Sequence, residues 1–178
     1  MKRTLLSLTV ALAAAALVVV AAAGGTAAKG PKGKPKLSAT PVFKLSLKPS
    51  QEVPRIKGLK ADAVGSVTFD LERSSDGVIT SGEVIFYVNY GFPGAVTITG
   101  LHVHQGAKNA NGAIVVDSGV GTVSDTDGQG NVTTIVAGVS PATLQAILDH
   151  PRDYYVNLHT TDNPGGALRT QLRNPTKR

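Results

Sequence analysis

The chain has 178 residues, no cysteine and a formal charge of +6, which excludes a fold stapled by disulfides and a lipid anchor carried on cysteine. The charge does not point to a nucleic-acid binder: Lys2, Arg3, Lys29, Lys32, Lys34, Lys36, Lys177 and Arg178 lie at the two ends, and without these eight the 18 basic residues fall to 10 against 12 acidic ones. The body is therefore near neutral or slightly acidic, without the net basic charge expected of such a binder, and at about 135 residues it is long enough to be held by burial alone.

Lys2 and Arg3 precede an apolar run from Leu5 to Val20, and small residues follow it. A positive start, an apolar middle and A-x-A sites at Ala21–Ala23 or Thr26–Ala28 predict a signal peptide over residues 1–28. The alternative is an uncleaved membrane anchor, because the run approaches the roughly 20 residues that a spanning helix needs. Cleavage would place the mature chain outside the cytoplasmic membrane, either secreted or in the cell envelope or periplasm. Residues 29–41, with "KGPKGKPK", read as a Lys/Pro/Gly-rich linker able to touch anionic envelope polymers or lipid headgroups. One domain is expected over 42–174, followed by a polar tail at 175–178.

From residue 42 the apolar pattern takes period two, the mark of half-buried strands. Phe43, Leu45 and Leu47 alternate with Lys44, Ser46 and Lys48; Val67, Phe69 and Leu71 alternate with Thr68, Asp70 and Glu72. "SSDG" (Ser74 to Gly77) predicts a hairpin turn, since Asp-Gly tolerates positive φ. Val84 to Tyr90 is apolar on both faces, which suggests a central strand. "AVTITGLHVHQG" predicts a strand or bent pair, "AIVVD" and "GNVTTIVAG" two more. "DTDGQGN" is read as a turn; it has oxygen ligands of the kind a calcium loop uses, but no bidentate glutamate at the required spacing. "SPATLQAILDHP" predicts the one helix, near 140–149, with Ser140 as cap, Pro141 at the first position and Pro151 as stop. "RDYYVNLHTT" and "ALRTQLR" close the chain as strands around "DNPGG". About eight short strands argue for an all-β antiparallel sandwich or barrel.

"GLHVHQG" carries the chemistry. On a strand His102 and His104 point one way, while Leu101 and Val103 point to the core. That places both imidazoles on the outer surface, close enough to share an ion. His159, on one face with Tyr155 and Asn157, is the third candidate ligand. Three neutral imidazoles without cysteine would suit copper or zinc. The other reading of these residues is hydrogen bonding to loop carbonyls without a metal. His150, at the helix end, complements the macrodipole and is not assigned as a ligand.

"QEVP", "LHVHQGAKNANGAIVV" and "YYVNLHTTDNPGGALRTQL" resemble the three signatures of the CHRD domain, named after chordin. The resemblance implies an immunoglobulin-like or superoxide-dismutase-like β-sandwich in an extracellular protein. In chordin the domain belongs to a growth-factor antagonist, and no catalytic residue is carried over from the family. It supplies Glu52 and Arg169, expected here as an internal ion pair; the guanidinium could instead face an anion, with Asn157 beside it. The family usually has glycine after that arginine, where this chain has Thr170. "GLHVHQGAKNANG" is also similar to the copper-binding strand of Cu/Zn superoxide dismutases, and His159 with Arg169 resembles their last copper ligand and active-site arginine. No histidine between His104 and His150 can bridge two metals, and a zinc cluster is missing, so dismutase activity is not implied. Two functions stay open: a non-enzymatic binding or structural module with an unidentified extracellular or envelope partner, and a small copper or zinc protein, redox-active in the case of copper.

Overall fold

A computed structural model describes residues 40–177. The signal peptide expected over 1–28 and the linker up to residue 39 lie outside the described residues. The period-two stretches form β1 (Pro41–Leu47), β2 (Asp62–Arg73), β3 (Ile79–Gly91), β4 (Val96–Gln105), β5 (Ile114–Asp117), β6 (Val123–Asp125), β7 (Gln129–Val136), β8 (Tyr154–Thr160), β9 (Leu168–Gln171) and β10 (Thr176–Lys177), with α1 (Pro141–Asp149) before β8. One sheet runs β10-β1-β2-β3-β7; the other runs β5-β4-β8-β9, with β6 also on β4. Every strand pairing is antiparallel. The architecture is an all-β sandwich; the barrel alternative falls away because neither sheet closes.

Alternation decides what fills the sandwich. Phe43, Leu45 and Leu47 of β1, Val67 and Phe69 of β2, and Val84, Phe86 and Val88 of β3 enter one core with Leu101 and Val103 of β4 and Val156 and Leu158 of β8. Each such side chain contributes about 1.5–3 kcal/mol when fully buried, which is how a chain without disulfides is held. The hairpin at Ser74 to Gly77 forms as its sequence predicts: Gly77 has φ 87°, and its N–H donates to the Ser74 carbonyl at 2.9 Å. α1 starts where expected, with Ser140 Oγ accepting from Thr143 N at 3.1 Å, and buries Leu144 and Ile147. β3 is flanked on both sides, although β2 holds the middle of the sheet. Its outer face is not buried, and Tyr87 is 46% exposed.

Several details differ from the sequence reading. "AVTITGLHVHQG" is a single strand whose pairing register slips at Ile98/Gly100 and Val103/His104. Pro41, assigned to the linker, and Thr176 and Lys177, assigned to the tail, pair with one another's strands at the sheet edge. β6 was not expected. The turn after it is built on Asp125, whose Oδ1 accepts from the N–H groups of Asp127 and Gly128 and whose Oδ2 accepts from Tyr90 Oη at 2.9 Å. That carboxylate serves the turn.

Candidate metal centre

The face of the second sheet that points away from the core is polar and crowded. It carries His102 and His104 from β4, Tyr155, Asn157 and His159 from β8, and Arg169 and Gln171 from β9. Register brings them together: His102 lies opposite Asn157, His104 opposite Tyr155 and Gly100 opposite His159, while Asn157 lies opposite Arg169 and Tyr155 opposite Gln171. Two of the three signature segments thus meet on one side of one sheet, and Glu52 of the third reaches Asn157 there.

This face is not the open surface that alternation predicts. Tyr155, Asn157 and Arg169 are each 2% exposed and His104 is 7% exposed, because the loop at 106–113 and the segment around Glu52 roof the sheet. Arg169 holds the loop, its Nη2 donating to the Ala107 and Ala110 carbonyls and its Nη1 to Asn111 Oδ1. Gln171 Nε2 donates to the Gly106 carbonyl at 2.8 Å, and Gly112 N–H donates to Tyr155 Oη. Asn111 Nδ2 ties the loop to the second cover through the Val53 carbonyl at 2.7 Å. Pleat alternation tells which side of a sheet a residue takes, and carries no information about what later crosses that side.

On the same face the three imidazoles converge. Ring centroids are 4.7 Å apart for His102 and His159, 5.5 Å for His102 and His104, and 5.6 Å for His104 and His159. One nitrogen from each ring lies within 4.8 Å of the other two. The rings are oriented by their other nitrogens: His104 Nδ1 donates to the Gly112 carbonyl at 3.0 Å and His159 Nδ1 to the Pro164 carbonyl at 2.9 Å. His102 Nε2 stands 3.5 Å from Asp117 Oδ1. Left buried with no partner are His102 Nδ1, His104 Nε2 and His159 Nε2. In the neutral rings of His104 and His159, donation through Nδ1–H leaves the lone pair on Nε2, the arrangement that orients metal-binding histidines, whereas in His102 the free nitrogen is Nδ1. Burial, then the neighbouring charge of His159, lowers the pKa of His102 against the opposing pull of Asp117. Burial likewise lowers that of His104, although its bond to Gly112 acts the other way. Both shifts favour the neutral ring, the form that ligates.

Bonds of 2.0–2.1 Å to one ion would set the nitrogens about 3.3–3.6 Å apart, so the widest pair would have to close by up to about 1.5 Å. Gly100, which sequence reasoning quoted without a role, makes room for the site. A Cβ there would lie 2.6 Å from Cε1 of His102. The i, i+2 spacing of Gly100 and His102 is the signal that could have found it.

Glu52 and Arg169 do not form the direct ion pair expected from the sequence. The guanidinium is spent on the loop and lies over the Tyr155 ring, 3.5 Å from its centroid, while His104 stacks at 4.8 Å from the same ring, 6° from parallel. Glu52 is 5% exposed and accepts a long bond from Asn157 Nδ2 at 3.5 Å; its Oε1 has no partner. Burial raises its pKa from 4.5 to about 7, partly offset by the charge of Arg169 and the bond from Asn157. Gly166, at φ 128°, lets the chain pass close to Asn157, since a Cβ there would lie 2.3 Å from Asn157 Nδ2. Thr170, where the family usually has glycine, takes its place opposite Val156 and is 8% exposed. His150 ends α1 on the exposed surface.

Fold and site together define an antiparallel β-sandwich module with a roofed polar layer outside one sheet. The CHRD domain family model matches residues 43–172, and the chain belongs to the CHRD domain family. No curated protein and no solved structure matches the chain.

Proposed function

We propose that this protein is an exported CHRD-domain module that binds one copper or zinc ion through His102, His104 and His159. Export rests on the leader in the sequence. The observation that carries the ion is the set of three buried ring nitrogens without partners, one from each histidine. A buried polar atom that bonds nothing carries a desolvation cost of about 1–3 kcal/mol, and three such lone pairs in one place are relieved together by a cation. Imidazole donors in the absence of thiolate suit zinc or copper over calcium or magnesium. The reading assigns binding and no turnover.

The test is titration of the metal-free chain with Zn²⁺ and Cu²⁺ at pH 7. One ion per chain is expected, with affinity falling at least about 100-fold in His159→Ala and in His102→Ala, as loss of one of three ligands requires. Failure of both ions to bind at stoichiometric level, or unchanged binding in both variants, would overturn it. In that event the histidines act only as ties between sheet and loops, through their bonds to Gly112 and Pro164.

A further inference from the structure

A cleft of about 420 Å³ opens where the segment at 50–55 meets the end of β9, and Glu52, Arg55, Lys108, Arg169 and Arg173 line it. Arg55, Lys108 and Arg173 are exposed, and among the described residues none of the three is paired with a carboxylate. Arg169 adds its charge to the lining while its Nη1 and Nη2 donate to the loop. A second cleft of about 320 Å³ shares Lys108, Gln171 and Arg173 with the first and adds Arg152, so the basic lining continues as a groove. One wall departs from this pattern. Glu52, almost wholly buried, lines the first cleft and has Oε1 without a partner, and Ser50, Gln51 and Asn109 add neutral polar groups beside it.

A ligand that satisfies these walls carries negative charge for the arginines and lysine and hydroxyl groups for the neutral polar wall of Ser50, Gln51 and Asn109. We propose that this groove binds a short hydroxylated anion, a uronate or polyol-phosphate segment, with its acidic groups on Arg55, Lys108 and Arg173 and its hydroxyls against Ser50, Gln51 and Asn109. The size fits: small-ligand pockets span about 300–1,000 Å³. Charge-assisted bonds from arginine, bidentate where the geometry allows, supply the binding strength. Among the described residues nothing aromatic lines either cleft. A nucleic-acid strand, whose bases stack on aromatic side chains in sites of this kind, is therefore disfavoured. The proposal does not use the three histidines and stands apart from ion binding.

The test is calorimetric titration of the full chain in metal-free buffer at pH 7 and low salt with four probes: oligogalacturonate, a short glycerol-phosphate oligomer, inorganic phosphate and a single-stranded DNA oligomer of matched charge. At least one of the first two is expected to bind at one per chain; which one separates carboxylate from phosphate as the natural acidic group. Inorganic phosphate and DNA are expected to bind at least about tenfold more weakly. Arg55→Glu combined with Arg173→Glu, both at exposed positions, is expected to weaken binding at least about tenfold without moving the thermal midpoint. The proposal is overturned by no binding of either hydroxylated anion, by equal binding of phosphate or DNA, or by unchanged affinity in the double variant.

Discussion

Glu52 sits in a buried layer where its neighbours only partly compensate the loss of water, and the consequence is a dependence of stability on pH. Its folded pKa of about 7 stands above the ordinary 4.5. The folded chain therefore holds the proton more tightly than the unfolded one; the stability linked to it is fully present below about pH 4.5 and is lost as pH rises through about 7. Glu52→Gln, which cannot ionise, should leave stability unchanged at pH 4 and raise it at pH 8 by about 1–2 kcal/mol, after allowance for solvent on the side open to the cleft. Urea unfolding at the two pH values measures this, and a gain of equal size at both would contradict it. Gly100 acts by what it lacks. Adding a methyl in Gly100→Ala pushes the His102 ring off its position, so zinc affinity should fall about tenfold or more while β4 keeps its pairing, a split that ion titration and circular dichroism together resolve.

The loop at 106–113 owes its place to a handful of donors, Arg169 above all. Arg169→Lys keeps the charge but loses the planar fork that reaches several acceptors at once. A cost of about 2 kcal/mol follows from the bonds left unmade, and amide exchange across 106–113 should rise while β2 and β3 stay protected; equal rises in both places would show the arginine to be a global support instead. This element explains what the sequence made legible and what it did not. The side of the sheet taken by His102, His104, Asn157 and His159 could be read from alternation, because the pleat depends only on sequence spacing. Ser74 to Gly77 and Ser140 with Pro141 could be read because turns and caps demand particular residue types. The roof could not: Arg169 bonds the carbonyls of Ala107 and Ala110, and His104 that of Gly112, and a backbone carbonyl is the same on every residue. The expected Glu52–Arg169 pair failed for this reason, since complementary charge on two side chains was visible and the competing carbonyls were not. β6 and β10 escaped notice because two or three residues are too few to establish a period.

At the scale of the whole molecule the two sheets are joined by more than side-chain packing. Lys48, just beyond β1, exchanges backbone hydrogen bonds with Arg169 of β9 at 3.0 and 3.3 Å, so the roofed layer and the core are tied through one residue. An ion bound to the folded chain alone should therefore stabilise the domain as a unit. At zinc a hundredfold above its dissociation constant the gain is about 2.7 kcal/mol, to be read as a shift of the urea midpoint in the wild-type chain and its absence in His104→Ala. The order of events in refolding follows from the register of β4 with β8. These strands lie far apart in the chain, with β5, β6, β7 and α1 between them, so the entropy of closing that long connection is spent before the third imidazole arrives. Zinc then reaches a finished pocket instead of recruiting one, and in stopped-flow experiments it should slow the escape from the native state while leaving the rate of its formation untouched.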